Sequence, residues 1–273
     1  MRKIGTYSPT DKIHSSLSID RVDEKKWIAG RVFLQSKKQS IGDYILEKFD
    51  EDILNIDNLS YAADLNNLKD IEYNSNYSFK KLNIQNQDEI TTLILESKPR
   101  AILNFAAESH VDRSIDGPGA FIDTNIIGTY NLLEISRKYY KGSNSNFKFI
   151  HVSTDEVYGE LNDEGYFTEM TPYNPSSPYS ASKASSDHLV RAWHRTFDIP
   201  VLITNCSNNY GPYQFPEKLI PKSIKNALKG KEIPIYGKGE QIRDWLYVED
   251  HVNALYKVLL EGRLGETYNI GAN

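Results

Sequence analysis

A chain of 273 residues that is 39% apolar and 25% charged can bury a full core and has the composition of an ordinary soluble globular protein. A formal net charge of −5, with Lys and Arg scattered along the chain, argues against a general nucleic-acid binder, which would carry a basic face. Cys206 is the only cysteine, which excludes an internal disulfide framework and a thiolate metal site and suits a reducing cytosol. The opening residues lack the apolar core of a signal peptide, and no run of about 18 apolar residues occurs, so a cytoplasmic protein without membrane attachment is expected.

In chain order, residues 1–30 are polar and mixed in charge, with Pro9, Asp11, Ser15 and Ser16 as breakers, and are expected to form an extension of unknown order. The first apolar strand is expected at Arg31 to Leu34, followed by the loop S-K-K-Q-S-I-G and a helical pattern through Tyr44, Ile45, Leu46 and Phe49. A second strand, Asp52 to Ile56, ends at Asp57, where an acid suits a ribose hydroxyl. This is the opening of a dinucleotide-binding unit with an altered loop. Of the glycines that such a loop uses for its tight turn and its close approach to pyrophosphate, only Gly42 is present. Lys37 and Lys38 offer charge to phosphates, yet their side chains occupy space a glycine leaves empty, so weakened cofactor binding is expected.

Ser78 to Ile84 reads as a third strand, Gln87 to Ser97 as a helix, and Ala101 to Phe105 as a short apolar strand running into A-A-E-S-H-V-D-R-S. Ala106 and Ala107 allow a flat ligand to approach the backbone, or simply pack tightly. Ser109 and His110 could reach polar ligand groups, although a lone histidine such as His110 is more often structural. A long helix covers Phe121 to Tyr140.

The stretch F-K-F-I-H-V-S-T-D-E-V-Y-G is a buried strand, dense in β-branched and aromatic residues, that stops at Thr154, Asp155 and Glu156. Consecutive strand residues point to opposite faces, so two adjacent carboxylates can serve one pocket only if the chain turns at Asp155. Taken alone, such a pair is more often a solvated turn. The motif Y-S-A-S-K follows, with Tyr179 and Lys183 on one face of a helix reaching Trp193 or beyond. An ammonium beside a phenol lowers its pKa, so that phenolate can take a proton from an alcohol.

Val201 to Thr204 is a further strand, and the Pro- and aromatic-rich N-C-S-N-N-Y-G-P-Y-Q-F-P-E-K-L-I-P leaves the sheet for a small second lobe. Lys222 to Leu228 reads as helix and Ile233 to Tyr236 as extended. Arg243, beside the aromatic strand Gln241 to Val248, either clamps an anion or pairs with Asp244 or another acid. A helix, Glu249 to Glu261, and a strand, Glu266 to Ile270, close the chain in what reads as the middle of a domain.

Together S-T-D-E-V-Y-G, Y-S-A-S-K, the N-C-S-N-N-Y-G-P segment and R-D-W-L-Y-V-E-D-H resemble the dTDP-glucose 4,6-dehydratases of the extended short-chain dehydrogenase/reductase superfamily, over about Asn55 to Gly271. The resemblance implies an α/β fold, a doubly wound parallel sheet of Rossmann type with a small, truncated C-terminal substrate lobe. The dinucleotide-binding domain is expected at 31–204 plus about 241–262, and the lobe at 205–240 plus 263–273. It also implies an NAD-dependent hydro-lyase converting dTDP-glucose to dTDP-4-keto-6-deoxyglucose and water, without a metal.

Tyr179 would take the 4-hydroxyl proton while hydride passes from carbon 4 to NAD, with Lys183 holding the nicotinamide ribose. Glu156 would take the carbon 5 proton, Asp155 would protonate the departing 6-hydroxyl, and Thr154 would bond the substrate hydroxyls. By the same resemblance Ile41, Gly42, Asp57, Asn83, Ile84, Phe105, Ala106, Ala107, Ser109, Thr124, Tyr179, Lys183 and Asn209 would line the NAD site. Ser109, Thr154, Asn208, Lys218, Leu219, Tyr236 and Arg243 would line the nucleotide-sugar site. A homodimer is implied through the long helices near Phe121 to Tyr140 and Ser182 to Thr196, paired as a four-helix bundle. Two alternatives compete. One is a cofactor-impaired relative or fragment acting as a binding or assembly subunit. The other, a nucleotide-sugar epimerase, is disfavoured by the Asp155 and Glu156 pair.

Overall fold

A computed structural model describes residues 27–30, 46, 51–141, 146–161, 165–235 and 238–272. Its main sheet is built from β1 (Trp27–Gly30), β2 (Ile53–Asp57), β3 (Tyr77–Lys81), β4 (Ala101–Asn104), β5 (Lys148–Thr154), β6 (Val201–Cys206) and β9 (Thr267–Ile270). These seven strands pair in the order β3-β2-β1-β4-β5-β6-β9, every pair parallel. The order reverses between β1 and β4, and in an open parallel sheet the crevice at such a reversal, beyond the carboxyl ends of the strands, is where ligands bind.

Alternation along the central strands decides the two faces. Phe149 and Ile203 point into one core, against Ile90 and Ile94 of α1 (Gln87–Ser97), Leu132 and Leu133 of α4 (Thr129–Lys141) and Val190 of α5 (Pro178–Phe197). Ile150 and Leu202 point into the other, against Val252, Leu255 and Leu259 of α7 (Val248–Glu261). Strands buried on both faces read as continuous apolar runs, which is why β5 and β6 were legible as strands. Each fully buried Leu, Ile or Phe contributes about 1.5–3 kcal/mol, so these layers hold the carboxyl edge rigid.

The long helix expected over 121–140 is composite. α2 (Val111–Asp116) and α3 (Gly119–Phe121) lead into a π-helical turn, Ile122–Gly128, and then α4. The wider turn carries Asn125, whose Nδ2 donates to Ser182 Oγ at 2.8 Å and to the Glu108 carbonyl at 3.0 Å, while its Oδ1 accepts from Glu108 N–H at 2.8 Å. One buried amide thus ties the loop after β4 to α5. Gly128 is required here, because a Cβ would overlap the Ile84 side chain.

A second, two-stranded parallel sheet pairs β7 (Asn208–Tyr210) with β8 (Trp245–Tyr247), with α6 (Leu219–Leu228) between them in sequence. Three expectations change. The first described strand is Trp27–Gly30, inside the stretch 1–30 expected as an extension, because it ladders to β2 and β4; the strand expected at 31–34 lies outside the described residues. Residues 267–270, assigned to the second lobe, form β9 and pair with β6, so they belong to the main sheet. Residues 233–235 pair with no strand, and 236 lies outside the described residues.

Candidate active site

The site forms where β4, β5 and β6 end. Thr154, the last residue of β5, keeps extended angles and its Oγ1 accepts from Glu156 N–H at 3.3 Å, capping a single 3-10 turn, Asp155–Tyr158. The turn lifts both carboxyl groups out of the strand, as their adjacency required. Asp155 is buried and Glu156 half-buried. Gly159 ends the turn with φ 86° and ψ −131°, a region that only glycine occupies readily.

Helix α5 begins with a capping box. Ser177 Oγ accepts from Ser180 N–H at 3.0 Å and Ser180 Oγ accepts from Ser177 N–H at 3.0 Å, with Pro178 at the first helical position. Tyr179 and Lys183 follow one turn apart, both buried. Lys183 Nζ donates to the Val152 carbonyl at 2.8 Å, which anchors the side chain to β5.

A cavity of about 350 Å³ opens on this edge. Among its walls are Thr154, Asp155, Glu156, Tyr179 and Lys183, so the structure joins all five residues read as catalytic. Phe105, Ala107, Ser109 and Asn209, expected at the cofactor, and Asn208, Lys218, Leu219 and Arg243, expected at the sugar nucleotide, line it as well.

Other expected contacts lie elsewhere. Ala106 is buried in the core against the sheet, its N–H donating to Asn104 Oδ1 at 3.2 Å. Asp57 ends β2 with Oδ1 accepting from Leu59 N–H at 2.6 Å. Asn83 Oδ1 accepts from Gln85 N–H at 3.0 Å, Ile84 packs in the core, and Thr124 Oγ1 accepts from Gln85 Nε2 at 3.2 Å. None of these lines the cavity; Asp57, Asn83 and Ile84 stand at or just past the ends of β2 and β3, and Thr124 lies in the π-helical turn. Ile41, Gly42 and Tyr236 lie outside the described residues, as does the whole 36–42 loop.

Charge in the cavity is set by burial. Burial pushes the Tyr179 phenol well above its ordinary 10.0, and Glu156 adds to the effect. Cys206 and Asp155 act in the same direction, and a hydrogen bond with Thr154 opposes them. Burial also lowers Lys183 from 10.5 to about 8, opposed by Asp187 and Cys206. Lys218, whose Nζ donates to the Ser109 carbonyl at 3.1 Å, is lowered by burial and held up by Glu217 and Glu156.

His110 takes the structural role. Its Nε2 lies 3.8 Å from Glu217 Oε2, beside Arg113 Nε at 3.7 Å, and Tyr61 donates to Glu217 Oε1 at 2.9 Å. Glu217 thereby clasps the loops after β2 and β4 to the segment leading into α6. Arg243 Nη1 donates to the Ile242 carbonyl at 3.2 Å, while Asp244 Oδ2 accepts from Ala272 N–H.

Sequence comparison agrees with this geometry. The family model described as GDP-mannose 4,6 dehydratase matches residues 41–273. A dTDP-glucose 4,6-dehydratase of Salmonella typhimurium is 57% identical over 243 residues, covering 84% of this chain and 67% of that one. The chain belongs to the dTDP-glucose 4,6-dehydratase family. The crystal structure of the Bacillus anthracis dTDP-glucose 4,6-dehydratase in complex with NAD is 46% identical, with a TM-score of 0.79 over 91% of this chain and 76% of that one. A Streptomyces venezuelae dTDP-glucose 4,6-dehydratase solved with NAD bound is 38% identical, with a TM-score of 0.80 over 90% and 75%. This chain therefore spans about two thirds of the curated dehydratase's length. Among the described residues no helix is long and apolar enough to cross a membrane, and no cluster of metal ligands occurs.

Sequence reading missed several walls of this dehydratase-family cavity: Ser153, Cys206, Ser207, Gln214, Phe215, Trp245 and His251. His251 stands in the quoted R-D-W-L-Y-V-E-D-H block, and Ser153 immediately precedes Thr154. Proximity to a motif was the available signal. Asp187 and His151, buried behind Lys183, were missed as well; Asp187 lies four residues past Lys183, the spacing that paired Tyr179 with Lys183.

Proposed function

We propose that this chain is a dTDP-glucose 4,6-dehydratase, an NAD-dependent hydro-lyase that forms dTDP-4-keto-6-deoxyglucose and water. One observation carries the reading. The turn after β5 brings Asp155 and Glu156 into the same cavity as Tyr179 and Lys183, which supports a carboxyl pair and an alcohol-oxidising pair acting on one sugar. An epimerase needs only the second pair.

The described residues fit NAD. Ser207 Oγ, Asn209 Oδ1 and both ring nitrogens of His251 are buried without a hydrogen-bond partner and line the cavity, and buried polar atoms of this kind call for a polar ligand. Small Ala107 leaves room for a flat ring. When bound, NAD would supply the acceptor for the two electrons that leave carbon 4 and would give them back at carbon 6, so that the net change is loss of water alone.

The chain's own residues handle the protons. Tyr179 accepts the proton of the 4-hydroxyl, and a charged Lys183 nearby offsets the cost of a buried phenolate. Oxidation at carbon 4 acidifies the hydrogen on carbon 5, which Glu156 accepts. Asp155 gives its proton to the 6-hydroxyl as that group leaves as water, and the proton held by Glu156 returns to carbon 5 as carbon 6 is reduced. Two neighbouring carboxyl groups repel as anions, which favours holding one proton between them and lets them take opposite roles. Lys218 and Arg243 bring positive charge to the sugar-nucleotide end of the cavity.

A second copy completes the proposal. Ile122, Ile127 and Tyr130 are 44%, 45% and 39% exposed along the π turn and α4, next to Trp193 of α5, which stacks edge-on against Tyr130. An apolar face of this kind on two adjacent helices supports a homodimer through a four-helix bundle. The free thiol of Cys206 suits a reducing cytoplasm.

The test is to purify the chain, release bound nucleotide by denaturation, and assay dTDP-glucose turnover with and without added NAD. Ketone product dependent on NAD is expected. Absence of both bound NAD and product would refute the reading and leave a binding subunit. Sedimentation of wild type against Tyr130→Glu tests the dimer, which is refuted if the wild type is monomeric.

A further inference from the structure

Behind the Tyr179 and Lys183 pair lies a chain of buried polar groups that does not reach the cavity. Asp187 sits one turn past Lys183 on α5, and both side chains are almost fully buried. Tyr173 donates to Asp187 Oδ2 at 2.8 Å. That direction is forced, because the Tyr173 oxygen accepts from Arg191 Nη2 at 2.6 Å and so turns its own proton to the carboxylate. Asp187 Oδ2 is therefore an acceptor; burial raises the pKa of this carboxyl, and Lys183, the Tyr173 hydroxyl, Ser153 and Arg191 act in the other direction, toward the carboxylate. Asp187 Oδ1 has no hydrogen-bond partner and lies 3.4 Å from His151 Nε2, which in turn lies 3.4 Å from Lys183 Nζ.

The tautomer of His151 follows from its other side. Asn104 Oδ1 accepts from the Ala106 N–H, so Asn104 Nδ2 faces His151 Nδ1, at 3.2 Å, and donates to it. Nδ1 is then the bare nitrogen and Nε2 carries the hydrogen, facing Asp187 Oδ1. His151 stays neutral, since burial lowers its pKa well below the ordinary value, with Lys183 and Arg191 adding. A neutral ring with its N–H toward Asp187 cannot accept from Lys183, so the ammonium is directed to the Val152 carbonyl and the cavity.

We infer that Asp187 is a positioning residue: its buried carboxylate, held by Tyr173 and facing His151, keeps Lys183 charged and aimed at the reacting centre. The inference rests on reading Tyr179 and Lys183 as the oxidising pair. An ammonium this deeply buried would shed its proton without a neighbouring anion. The groups that act on the Lys183 charge are Asp187 from α5 and Cys206 from β6, with His151 of β5 at 3.4 Å, and Tyr179 and Glu156 share its cavity. Around Asp187 are Lys183, Arg191, His151 and Tyr173. Among those around Lys183, Asp187 is the leading influence that raises its pKa.

The experiment titrates the Lys183 side-chain resonance in protein labelled with carbon-13 lysine, identified by its loss in Lys183→Arg. In the wild type a midpoint near pH 8 is expected. Asp187→Asn should lower it by about one pH unit or more, a tenfold loss of proton affinity. Tyr173→Phe, which removes the hydroxyl that holds the carboxylate, should lower it in the same direction and carries the test if Asp187→Asn does not fold. In turnover of dTDP-glucose the alkaline limb of kcat should move down with the midpoint while KM stays within about twofold, and Asp187→Glu should restore part of the loss. An unchanged Lys183 midpoint in the variants overturns the inference, even if they unfold more easily, because that pattern belongs to a merely structural carboxylate. If the wild type does not turn over dTDP-glucose, the functional reading fails while the titration still judges Asp187.

Discussion

Substituting Gly159 by alanine tests whether the turn after β5 holds the carboxyl pair in place. The backbone there has φ 86° and ψ −131°, and an alanine would be strained by about 1–3 kcal/mol. Its Cβ would also overlap the Asn174 carbonyl oxygen, which is backbone and cannot rotate away. Relief requires residues 155–158 and 174 to separate, at the expense of the hydrogen bond from Asn174 N–H to the Val157 carbonyl at 2.9 Å, about 0.5–1.5 kcal/mol. The sum is about 2–4 kcal/mol, which at about 2–4 °C per kcal/mol lowers Tm by roughly 5–15 °C. A displacement of about 1 Å in Asp155 and Glu156 costs about a hundredfold in turnover, so kcat should fall even where the protein is folded. Thermal unfolding and dTDP-glucose turnover are measured on Gly159→Ala beside Gly119→Ala, whose added Cβ meets nothing within 4 Å. The control should be neutral or slightly stabilised. A Gly159→Ala protein with wild-type Tm and kcat would refute the argument.

Glu156→Gln should leave oxidation at carbon 4 possible and abolish water loss; undiminished dehydration would remove Glu156 as the base. Lys218→Ala deletes a buried cation at the sugar-nucleotide end, and loss of a charged contact of about 1.5–3 kcal/mol should raise KM about 10–100-fold with a smaller change in kcat. An unchanged KM would place the substrate phosphates elsewhere. His251 is held by burial at a pKa of about 4 against 6.5 when unfolded. As pH falls between those values the unfolded chain takes up the proton and the folded chain does not, so stability is lost on acidification, by at most about 3 kcal/mol. Urea midpoints measured at neutral pH and near pH 5 should therefore differ less in His251→Gln than in wild type; an equal difference would show that His251 is not the group responsible.

The strands β5 and β6, helix α5 and the acid-tipped turn were all legible in the sequence, because both-face burial writes continuous apolar runs and a spacing of four puts Tyr179 and Lys183 on one helical face. Local chemistry of that kind is contained within a few residues. The carboxyl pair implied a turn, since a strand cannot aim neighbours at one pocket, and the turn is there with Thr154 as its cap. What sequence could not rank was distance between segments. Trp27–Gly30 reads as the end of a polar extension until it ladders to β2 and β4, and Thr267–Ile270 reads as part of the lobe until it pairs with β6. The same limit explains the charges. The spacing of Tyr179 and Lys183 placed them together, but burial and Glu156 raise the phenol, and the lysine has His151 of β5 beside it and Asp187, which Tyr173 holds from a separate loop, one turn along α5. Desolvation depends on everything packed around a group, and so only the tertiary structure decided it.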